Sequence, residues 1–293
     1  MKMKYPDLSQ VARLLIACPD KPGIIQRVTT FLKDHGANIT DSDQHSSDPS
    51  GGTFFMRLEF QTPHLDLTDR KLEAKFKEEV ALPFQMEWQL HYATHFKKMA
   101  IFVSKYDHAL MEILWRWSRH EIPIHIPFII SNHPDLEKAA ASFNVPFHYI
   151  PMLPNKAQTE KEILRLCENQ VDGIILARYM QILSSEFIQH YPNKIINIHH
   201  SFLPAFVGAN PYQQAYDKGV KLIGATAHYV TEELDMGPII AQDVVRVSHR
   251  LSAAKLRELG QYVERTVLAQ AIISHVEDRI IVDGHKTIVF DLQ

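Results

Sequence analysis

The sequence is poor in cysteine, with only Cys18 and Cys167 among 293 residues. Two distant cysteines cannot build the disulfide framework of a small secreted protein, so a reducing compartment is expected. Long apolar runs are also missing, because the most apolar stretch, 122–130, is interrupted by Pro123 and Pro127 and is shorter than the roughly 18 residues that span a bilayer. The first residues lack the apolar core of a signal peptide. We therefore predict a soluble, cytoplasmic protein without a membrane partner.

The sequence also lacks a strong net charge and the common metal-binding motifs. Its formal net charge of -3 argues against a nucleic-acid partner, because such proteins usually carry a basic excess or stripe. The 17 histidines are mostly scattered, and the chain has neither HExxH nor a paired CxxC motif. A GxSxG elbow is missing as well, which disfavours a serine hydrolase. A catalytic metal is therefore not expected.

What is present fits two α/β domains, since 293 residues exceed what one hydrophobic core usually serves. The first part has the order β-α-β-β-α-β, which is the ferredoxin-like unit. Its predicted elements are a strand at 11–18, a helix from Ile24 to about Gly36, an extended segment after Asn38, a strand at 54–60, a helix at about 67–80 and a strand at 84–90.

From Met99 the pattern changes to short apolar strands that alternate with helices. This alternation predicts a mostly parallel sheet covered by helices on both faces. The predicted strands are 99–103, 124–130, 146–150, 172–177 and 194–198, and the helices between them are about 107–119, 134–143 and 157–169. Two later strands, 223–230 and 239–247, look antiparallel or edge-like, and a long helix at about 252–275 and a hairpin formed by 280–282 and 287–290 follow.

The first candidates for chemistry lie where the apolar strand 194–198 ends in polar residues. In an open α/β sheet, ligands bind beyond the carboxyl ends of the strands. Because side chains alternate along a strand, Asn197 and His199 point to the same face, about 6.5 Å apart. An amide and an imidazole can therefore reach a common point. The plain alternative is that this pair only caps a loop.

A second polar cluster, 232–238, forms a turn between two later strands. If this turn folds over the same edge of the sheet, Asp235 supplies a carboxylate beside His199. A carboxylate can accept a proton from water, while the amide and the imidazole stabilise an oxyanion, so the trio suits attack of water on a carbonyl. From these residues alone, Asp235 could equally be an ordinary turn residue.

The motif N-I-H-x-S-x-L-P from Asn197, followed by L-D-x-G-P from Leu234, resembles the signature of the folate-dependent formyltransferase family. Asp235 follows His199 by 36 positions, the separation found in glycinamide ribonucleotide transformylases. The resemblance covers residues 97–293 and implies a Rossmann-like, mostly parallel sheet of the formyltransferase type. It also implies that Asn197, His199 and Asp235 form the catalytic triad around a formyl carbon, with no metal or other cofactor.

The same resemblance implies a folate pocket. The loop 176–183 would cradle the pterin ring, largely through its backbone groups. It assigns Met180, Gln181 and Leu183 to substrate binding, and it places Leu234 at the flank of the pterin pocket.

Two departures from the transformylase pattern point to one branch of the family. Transformylases hold the phosphate of their acceptor in a glycine-rich loop, because backbone N–H groups must approach the anion closely, whereas the matching segment 103–110 has no glycine. His200 replaces the usual proline after His199. The runs 199–206 and 224–229 resemble formyltetrahydrofolate deformylases, in which water is the acceptor. By this resemblance, His200 would position the water or stack against the loop.

The first domain, residues 9–91, resembles the ACT domain. The resemblance is carried by the motifs Asp20-Lys21-Pro22-Gly23-Ile24 and Gly36-Ala37-Asn38-Ile39. It assigns Asp20, Gly23 and Asn38 to a candidate amino-acid effector site, although Gly23 could be only a turn glycine and Asn38 only a helix-exit residue. ACT domains commonly pair edge strands across subunits, so a homo-oligomer is expected.

The order of the domains decides between the members of the family, since formyltetrahydrofolate deformylases carry an ACT domain before the transferase-like domain and plain transformylases do not. The resemblance thus implies hydrolysis of 10-formyltetrahydrofolate to tetrahydrofolate and formate, a reaction that feeds one-carbon and purine metabolism. Two alternatives remain, formyl transfer to an amine and a non-catalytic amino-acid sensor that has kept a folate pocket. A transfer-RNA formyltransferase is disfavoured, because it would need a further RNA-binding domain after residue 293.

Overall fold

The computed structural model describes residue 8 and residues 10–48, 50–205 and 210–290. The predicted domain limits at residues 9 and 293, and Phe206 at the end of the deformylase-like run 199–206, lie outside these described residues. The described chain forms two compact units that meet along the sequence between Phe96 and Lys97. The first unit also contains 277–283 and 288–290, and the second contains 97–276 and 284–287.

The first unit is built on a four-stranded antiparallel sheet, as the βαββαβ pattern predicts. Its elements are β1 (Val11–Pro19), α1 (Ile24–Asp34), β2 (Asn38–Ser46), β3 (Thr53–Gln61), α2 (Asp69–Phe76), α3 (Leu82–Phe84) and β4 (Glu87–Tyr92). The strand order is β2-β3-β1-β4. The helix predicted at 67–80 is divided, because a π-helical segment, Lys77–Ala81, separates α2 from α3.

One face of this sheet carries the apolar core of the unit. Side chains alternate along a strand, and in β3 the core side chains are Phe54, Met56, Leu58 and Phe60. The apolar stripe of α1, which recurs at helical spacing, packs against them. The members of the stripe are Ile24, Val28, Phe31 and Leu32.

The intervening positions of β3 carry charge that is compensated within the unit. Arg57 is only 1 % exposed. Its Nη1 donates to Asp41 at 2.9 Å and its Nε donates to the backbone oxygen of Asp278 at 3.0 Å. Arg13 and Arg57 both donate to the carboxylate of Glu59. A buried guanidinium is stable here because all of its charge has nearby partners.

The second unit has the mostly parallel sheet that the sequence predicts. Its elements, with the closing strands of the chain, are β5 (Lys97–Val103), α4 (His108–Ser118), β6 (Ile124–His125), β7 (Ile129–Ser131), α5 (Glu137–Ser142), β8 (Phe147–Tyr149), α6 (Lys156–Cys167), β9 (Gly173–Leu176), α7 (Ser185–Gln189), β10 (Ile195–His199), α8 (Pro211–Asp217), β11 (Leu222–Tyr229), β12 (Ile239–Arg246), α9 (Ala253–Val276), β13 (Ile280–Asp283) and β14 (Lys286–Val289).

The sheet order is β12-β11-β10-β9-β5-β7-β8, with β6 beside β5, while β13 and β14 form a separate two-stranded sheet. All pairs from β10 to β8 are parallel, and β11 and β12 are antiparallel. The chain leaves β5 toward β7 on one side and later returns to β9 on the other. This reversal of strand order is a topological switch point, where α/β sheets bind ligands.

The structure corrects two details of the sequence prediction. The strand expected at 124–130 is two short strands, and Pro127, which has no N–H to donate, lies between them. The short helices α7 and α8 were not predicted, because five and seven residues give too little periodicity to detect. Among the helices of the described chain, none combines the length and the apolarity that crossing a bilayer requires.

Candidate active site

A cavity of about 530 Å³ lies in the second unit, and its lining comes from both sides of the switch point. All eight residues that the resemblance assigned to catalysis and substrate binding line it. They are Met180, Gln181, Leu183, Asn197, His199, His200, Leu234 and Asp235. The residues come from the carboxyl ends of β9 and β10 and from the turn between β11 and β12, so the fold collects them at one edge of the sheet.

The centre of the cavity is a pair formed by His199 and Asp235. His199 ends β10, and its Nδ1 lies 3.1 Å from Oδ2 of Asp235. Nε2 of His199 is buried and has no hydrogen-bond partner among the described residues. One ring nitrogen is thus held by the carboxylate, and the other is available to a molecule in the cavity.

The turn that carries Asp235 requires an unusual backbone. Asp235 has a φ of 57°, in the left-handed region that aspartate tolerates better than most residues. Gly237 packs directly on the end of β11, because a Cβ at this position would lie 1.7 Å from the backbone oxygen of Tyr229. The turn therefore needs glycine at 237 to bring Asp235 over the sheet edge.

His228 joins the group as a third imidazole, 2 % exposed. Its Nδ1 lies 2.9 Å from the backbone oxygen of Tyr229; because that oxygen only accepts, Nδ1 carries the hydrogen. In the neutral ring, Nε2 then accepts from Nδ2 of Asn197 at 3.2 Å. The same Nε2 lies 3.6 Å from Oδ1 of Asp235. His228 thus connects the amide and the carboxylate of the predicted triad.

Sequence reasoning did not assign His228 a role in catalysis. It included the residue only within the deformylase-like run 224–229. Pairing of Asn197 with His228 across β10 and β11 is what brings it into the site, and this register cannot be read from the sequence alone.

The electrostatics keep Asp235 ionised. Burial raises the pKa of its carboxyl, but the hydrogen bond with His199 and the influence of the neighbouring His199 and His228 rings outweigh burial and hold the pKa well below the ordinary value of 3.8. At His200, burial and the charge of Arg178 lower the pKa to about 3, so this imidazole is neutral at physiological pH. The site thus combines one carboxylate with one imidazole that stays uncharged.

The loop after β10 is fixed by a buried threonine. Thr226 is 0 % exposed; its hydroxyl donates to the backbone oxygen of Ser201 at 2.9 Å and accepts from the backbone N–H of Leu203 at 3.0 Å. Gln242 donates to the same hydroxyl at 2.9 Å. These bonds tie the loop to β11 and β12, and thereby support His199 and His200, which precede it.

Two side chains anchor the backbone of the predicted pterin loop, and the first of them is a buried serine. Ser104, at the end of β5, accepts from the backbone N–H of Met180 at 3.0 Å and donates to Oδ1 of Asn132 at 2.6 Å. At the far end of the loop, Glu160 accepts from the backbone N–H of Ser184 at 3.0 Å and from its hydroxyl. Met180 is 51 % exposed. The loop therefore exposes an apolar side chain while its backbone is held by hydrogen bonds.

The predicted effector residues lie in the first unit and are only partly brought together. Asp20 and Gly23 line a small cavity at the start of α1, and Gly23, with a φ of 95°, is the N-cap of that helix. Asp20 accepts from the hydroxyl of Ser46 at 2.5 Å. Asn38 begins β2 and is exposed, and it is not among the described residues that line this cavity.

The described side chains also include no group of three or more histidine, cysteine, aspartate or glutamate residues placed to hold a metal ion. Asp235 instead contacts His199 and His228 directly.

Each of the two units matches a known protein family. The profile of the family described as formyl transferase matches residues 97–272, and that of the ACT domain matches residues 12–76. The chain is 52 % identical over 283 residues to a formyltetrahydrofolate deformylase of Bacillus subtilis (strain 168), with coverage of 95 % of this chain and 93 % of the relative. It is 47 % identical over 281 residues to a formyltetrahydrofolate deformylase of Synechocystis, with coverage of 95 % and 98 %.

Solved structures agree with these sequence matches. A formyltetrahydrofolate deformylase from Pseudomonas syringae pv. tomato has a TM-score of 0.93 and 44 % identity, and the match covers 96 % of this chain and 95 % of that one. A glycinamide ribonucleotide transformylase from Symbiobacterium toebii has a TM-score of 0.64 and 30 % identity, but covers only 67 % of this chain against 95 % of its own. Because the deformylase matches extend over both units, this chain belongs to the formyltetrahydrofolate deformylase family.

Proposed function

We propose that this chain hydrolyses 10-formyltetrahydrofolate to tetrahydrofolate and formate. The observation that carries the proposal is the His199–Asp235 pair, in which a carboxylate holds Nδ1 at 3.1 Å while Nε2 is left without a partner among the described residues. Membership of the deformylase family supports the choice of substrate. We take residues 97–293 as the catalytic domain and residues 9–91 as the regulatory domain.

The substrate would lie with its pterin against the loop 176–183 and beside Leu234, and with its formyl carbon next to His199. Met180, Gln181 and Leu183 line that part of the cavity. Because Ser104 and Glu160 anchor the loop, its backbone groups are fixed before the substrate arrives. A preorganised wall of this kind reduces the entropy cost of placing the formyl group at the reacting atoms.

In the reaction, the oxygen of water bonds to the formyl carbon while Asp235 accepts a proton from that water. The carbonyl oxygen gains the negative charge, and the His199 Nε2–H and the amide of Asn197 donate to it. The carboxylate at Nδ1 stabilises positive charge on the His199 ring, which favours this donation. No covalent bond to the protein forms.

The bond between the formyl carbon and N10 then breaks, N10 takes up the proton held by Asp235, and formic acid is released and loses its remaining proton to solvent as formate. A carboxylate whose pKa is held below its ordinary value keeps a proton only briefly. This suits a shuttle that receives the proton from water and passes it on to N10. Asp235 therefore returns to its ionised state in each cycle.

We assign His200 to the positioning of the attacking water. A neutral imidazole has both an N–H donor and a lone pair, and the pKa of about 3 keeps His200 in that form. Its ring centroid lies 5.2 Å from that of His199, so a water held by His200 would be close to the formyl carbon. The reaction as proposed needs no metal or other cofactor.

We further propose that the ACT unit binds an amino-acid effector through Asp20, Gly23 and Asn38, and that the chain forms a homo-oligomer. The cavity lined by Asp20 and Gly23 supports the effector site.

Two buried, unpaired thiols, Cys18 and Cys167, support a reducing compartment such as the cytoplasm.

The test is an assay of the purified full-length chain with 10-formyltetrahydrofolate in amine-free buffer. We expect tetrahydrofolate, followed by its absorbance, and formate, measured by a separate formate assay, to appear in equal amounts. Consumption of the substrate only after an amine is added would instead establish formyl transfer. Binding of amino acids without turnover at any effector concentration would favour a sensor.

A further inference from the structure

A second cluster of buried polar side chains lines the same cavity, centred on Glu264 of α9, which is 1 % exposed. Both of its carboxylate oxygens are bound within the chain. Tyr212 donates from its hydroxyl to Oε1 at 2.6 Å, and His108 donates from Nε2 to Oε2 at 2.7 Å. Nε of Arg178 lies 3.5 Å from Oε2. We call these four residues the Glu264 cluster.

The charges in the Glu264 cluster fix which groups donate. Burial raises the pKa of the Glu264 carboxyl, but the hydrogen bond from His108 and the charge of Arg178 lower it by more, so the carboxylate is ionised. An ionised carboxylate only accepts, and Nε2 of His108 must therefore carry a hydrogen. Burial and the nearby charge of Glu264 raise the pKa of Tyr212, so its hydroxyl remains a donor.

The position of Tyr212 is built into α9. Gly260 lies one helical turn before Glu264, and a Cβ there would lie 2.0 Å from the hydroxyl oxygen of Tyr212. Only glycine leaves room for the hydroxyl to lie against the helix and reach the carboxylate. The contact between Tyr212 and Glu264 therefore depends on glycine at position 260.

The Glu264 cluster adjoins the reaction centre through His200. The ring centroid of His200 lies 5.2 Å from that of His199 and 6.0 Å from that of Tyr212. A second substrate bound next to the formyl carbon would therefore meet this cluster.

An amine that attacks the formyl carbon would need such partners, because its N–H groups lose water on entering the cavity and require new acceptors. The Glu264 carboxylate is already bound by Tyr212 and His108, so an amine would have to displace a charge-assisted bond. Water does not have this difficulty. Nδ1 of His108 is buried without a partner among the described residues, and in the neutral ring its lone pair can accept from a single water molecule.

We infer that the Glu264 cluster is a specificity device that makes water, and not an amine, the acceptor of the formyl group. The inference rests on the proposed function and names the residues that set its acceptor. In hydrolysis, the formyl carbon bonds to the oxygen of water, N10 gains a proton and formate leaves with release of one proton. In transfer, the carbon would bond to the amine nitrogen and the proton lost by the amine would go to N10.

The test is a competition in one reaction. Full-length wild type and the variants Tyr212→Phe and Glu264→Gln are given 10-formyltetrahydrofolate with increasing glycinamide, and N-formylglycinamide and formate are both quantified by mass spectrometry and a formate assay. Tyr216→Phe is the matched control, since Tyr216 lies on the same helix, α8, and is 48 % exposed. We expect wild type and the control to give formate with no more than a trace of N-formylglycinamide, and Tyr212→Phe to raise the ratio of formylated amine to formate at least tenfold over wild type.

Glu264→Gln keeps the shape of the side chain and loses its charge, and it should shift the ratio in the same direction. Wild type that formylates glycinamide as readily as it releases formate would overturn the inference whatever the variants do. Folded variants with the wild-type ratio would overturn it too. Either result leaves hydrolysis by the wild type standing, whereas a wild type that releases no formate would refute the proposed function itself.

Discussion

Nε2 of His228 accepts the amide hydrogen of Asn197 at 3.2 Å. This bond fixes the orientation of the amide that is proposed to donate to the oxyanion, and the same imidazole lies 3.6 Å from Asp235. His228 is thus a positioning residue that supports two members of the proposed triad.

Replacing His228 tests this support. We expect His228→Phe to lower kcat/KM for formate release at least tenfold, about 1.4 kcal/mol in transition-state stabilisation, because the amide of Asn197 loses the acceptor that orients it. His228→Gln, which can still bond to Asn197, should lose less. His190→Phe, an exposed position on the second unit, is the control. Wild-type kinetics in His228→Phe would show that Asn197 and Asp235 need no such support.

The pterin loop should depend on Ser104. Ser104→Ala leaves the partly buried backbone N–H of Met180 without the acceptor that it has at 3.0 Å, and an unpaired donor shielded from water costs up to about 1–3 kcal/mol. We expect KM for the folate to rise roughly fivefold to a hundredfold, the equivalent of that cost, with a smaller change in kcat. Steady-state kinetics measure both. Ser142→Ala, at an exposed helix end, should change neither, and an unchanged KM in Ser104→Ala would separate the loop from folate binding.

Stability should depend on pH through Asp235. Its pKa in the folded chain lies below the ordinary value of 3.8, so the ionised form stabilises the fold. That contribution is present in full above the ordinary pKa and is lost as the pH falls through the lowered, folded value. Urea denaturation of wild type and Asp235→Asn from about pH 6 to about pH 2 should therefore give free energies of unfolding that converge as the pH falls. Asp135→Asn, at an exposed site, should run parallel to wild type, and parallel curves for Asp235→Asn would contradict the lowered pKa.

His200 can be tested for its two proposed roles by two substitutions. His200→Phe keeps a ring that packs against Tyr212, whose centroid lies 6.0 Å away, but it cannot hold a water molecule. His200→Gln keeps hydrogen-bonding groups and loses the ring. If His200 positions water, kcat for formate release should fall at least tenfold in the Phe variant and less in the Gln variant. The reverse order would assign His200 to stacking alone.

Much of the fold could be predicted because its elements carry strong local signals. The alternation of apolar residues in β3 and the helical stripe of α1 each bury one face, and the motif residues sit at strand ends, where α/β sheets place their ligands. The prediction erred where local signals are short or broken. The split at Pro127 and the short helix α8 are examples.

The site was predicted only as far as chemistry could point to it. An amide, an imidazole and a carboxylate suit carbonyl chemistry, but this left loop capping and a plain turn as alternatives, and the resemblance to the formyltransferase family assigned Asn197, His199 and Asp235 to catalysis. No sequence pattern marks the Glu264 cluster, because its members are far apart along the chain. Glu264 is separated from His108 by 156 positions and from Tyr212 by 52. Nothing in a single sequence marks which buried glutamate will find those partners, and only the folded sheet and α9 bring them together.

The most direct test of the account is formate release by Asp235→Asn compared with wild type, both at neutral pH and with thermal unfolding as a check of the fold. The account predicts a folded variant whose turnover is reduced at least a thousandfold, about 4 kcal/mol in the barrier, because no carboxylate is left to take the proton from water. Turnover of 10-formyltetrahydrofolate at the wild-type rate in this variant would contradict it.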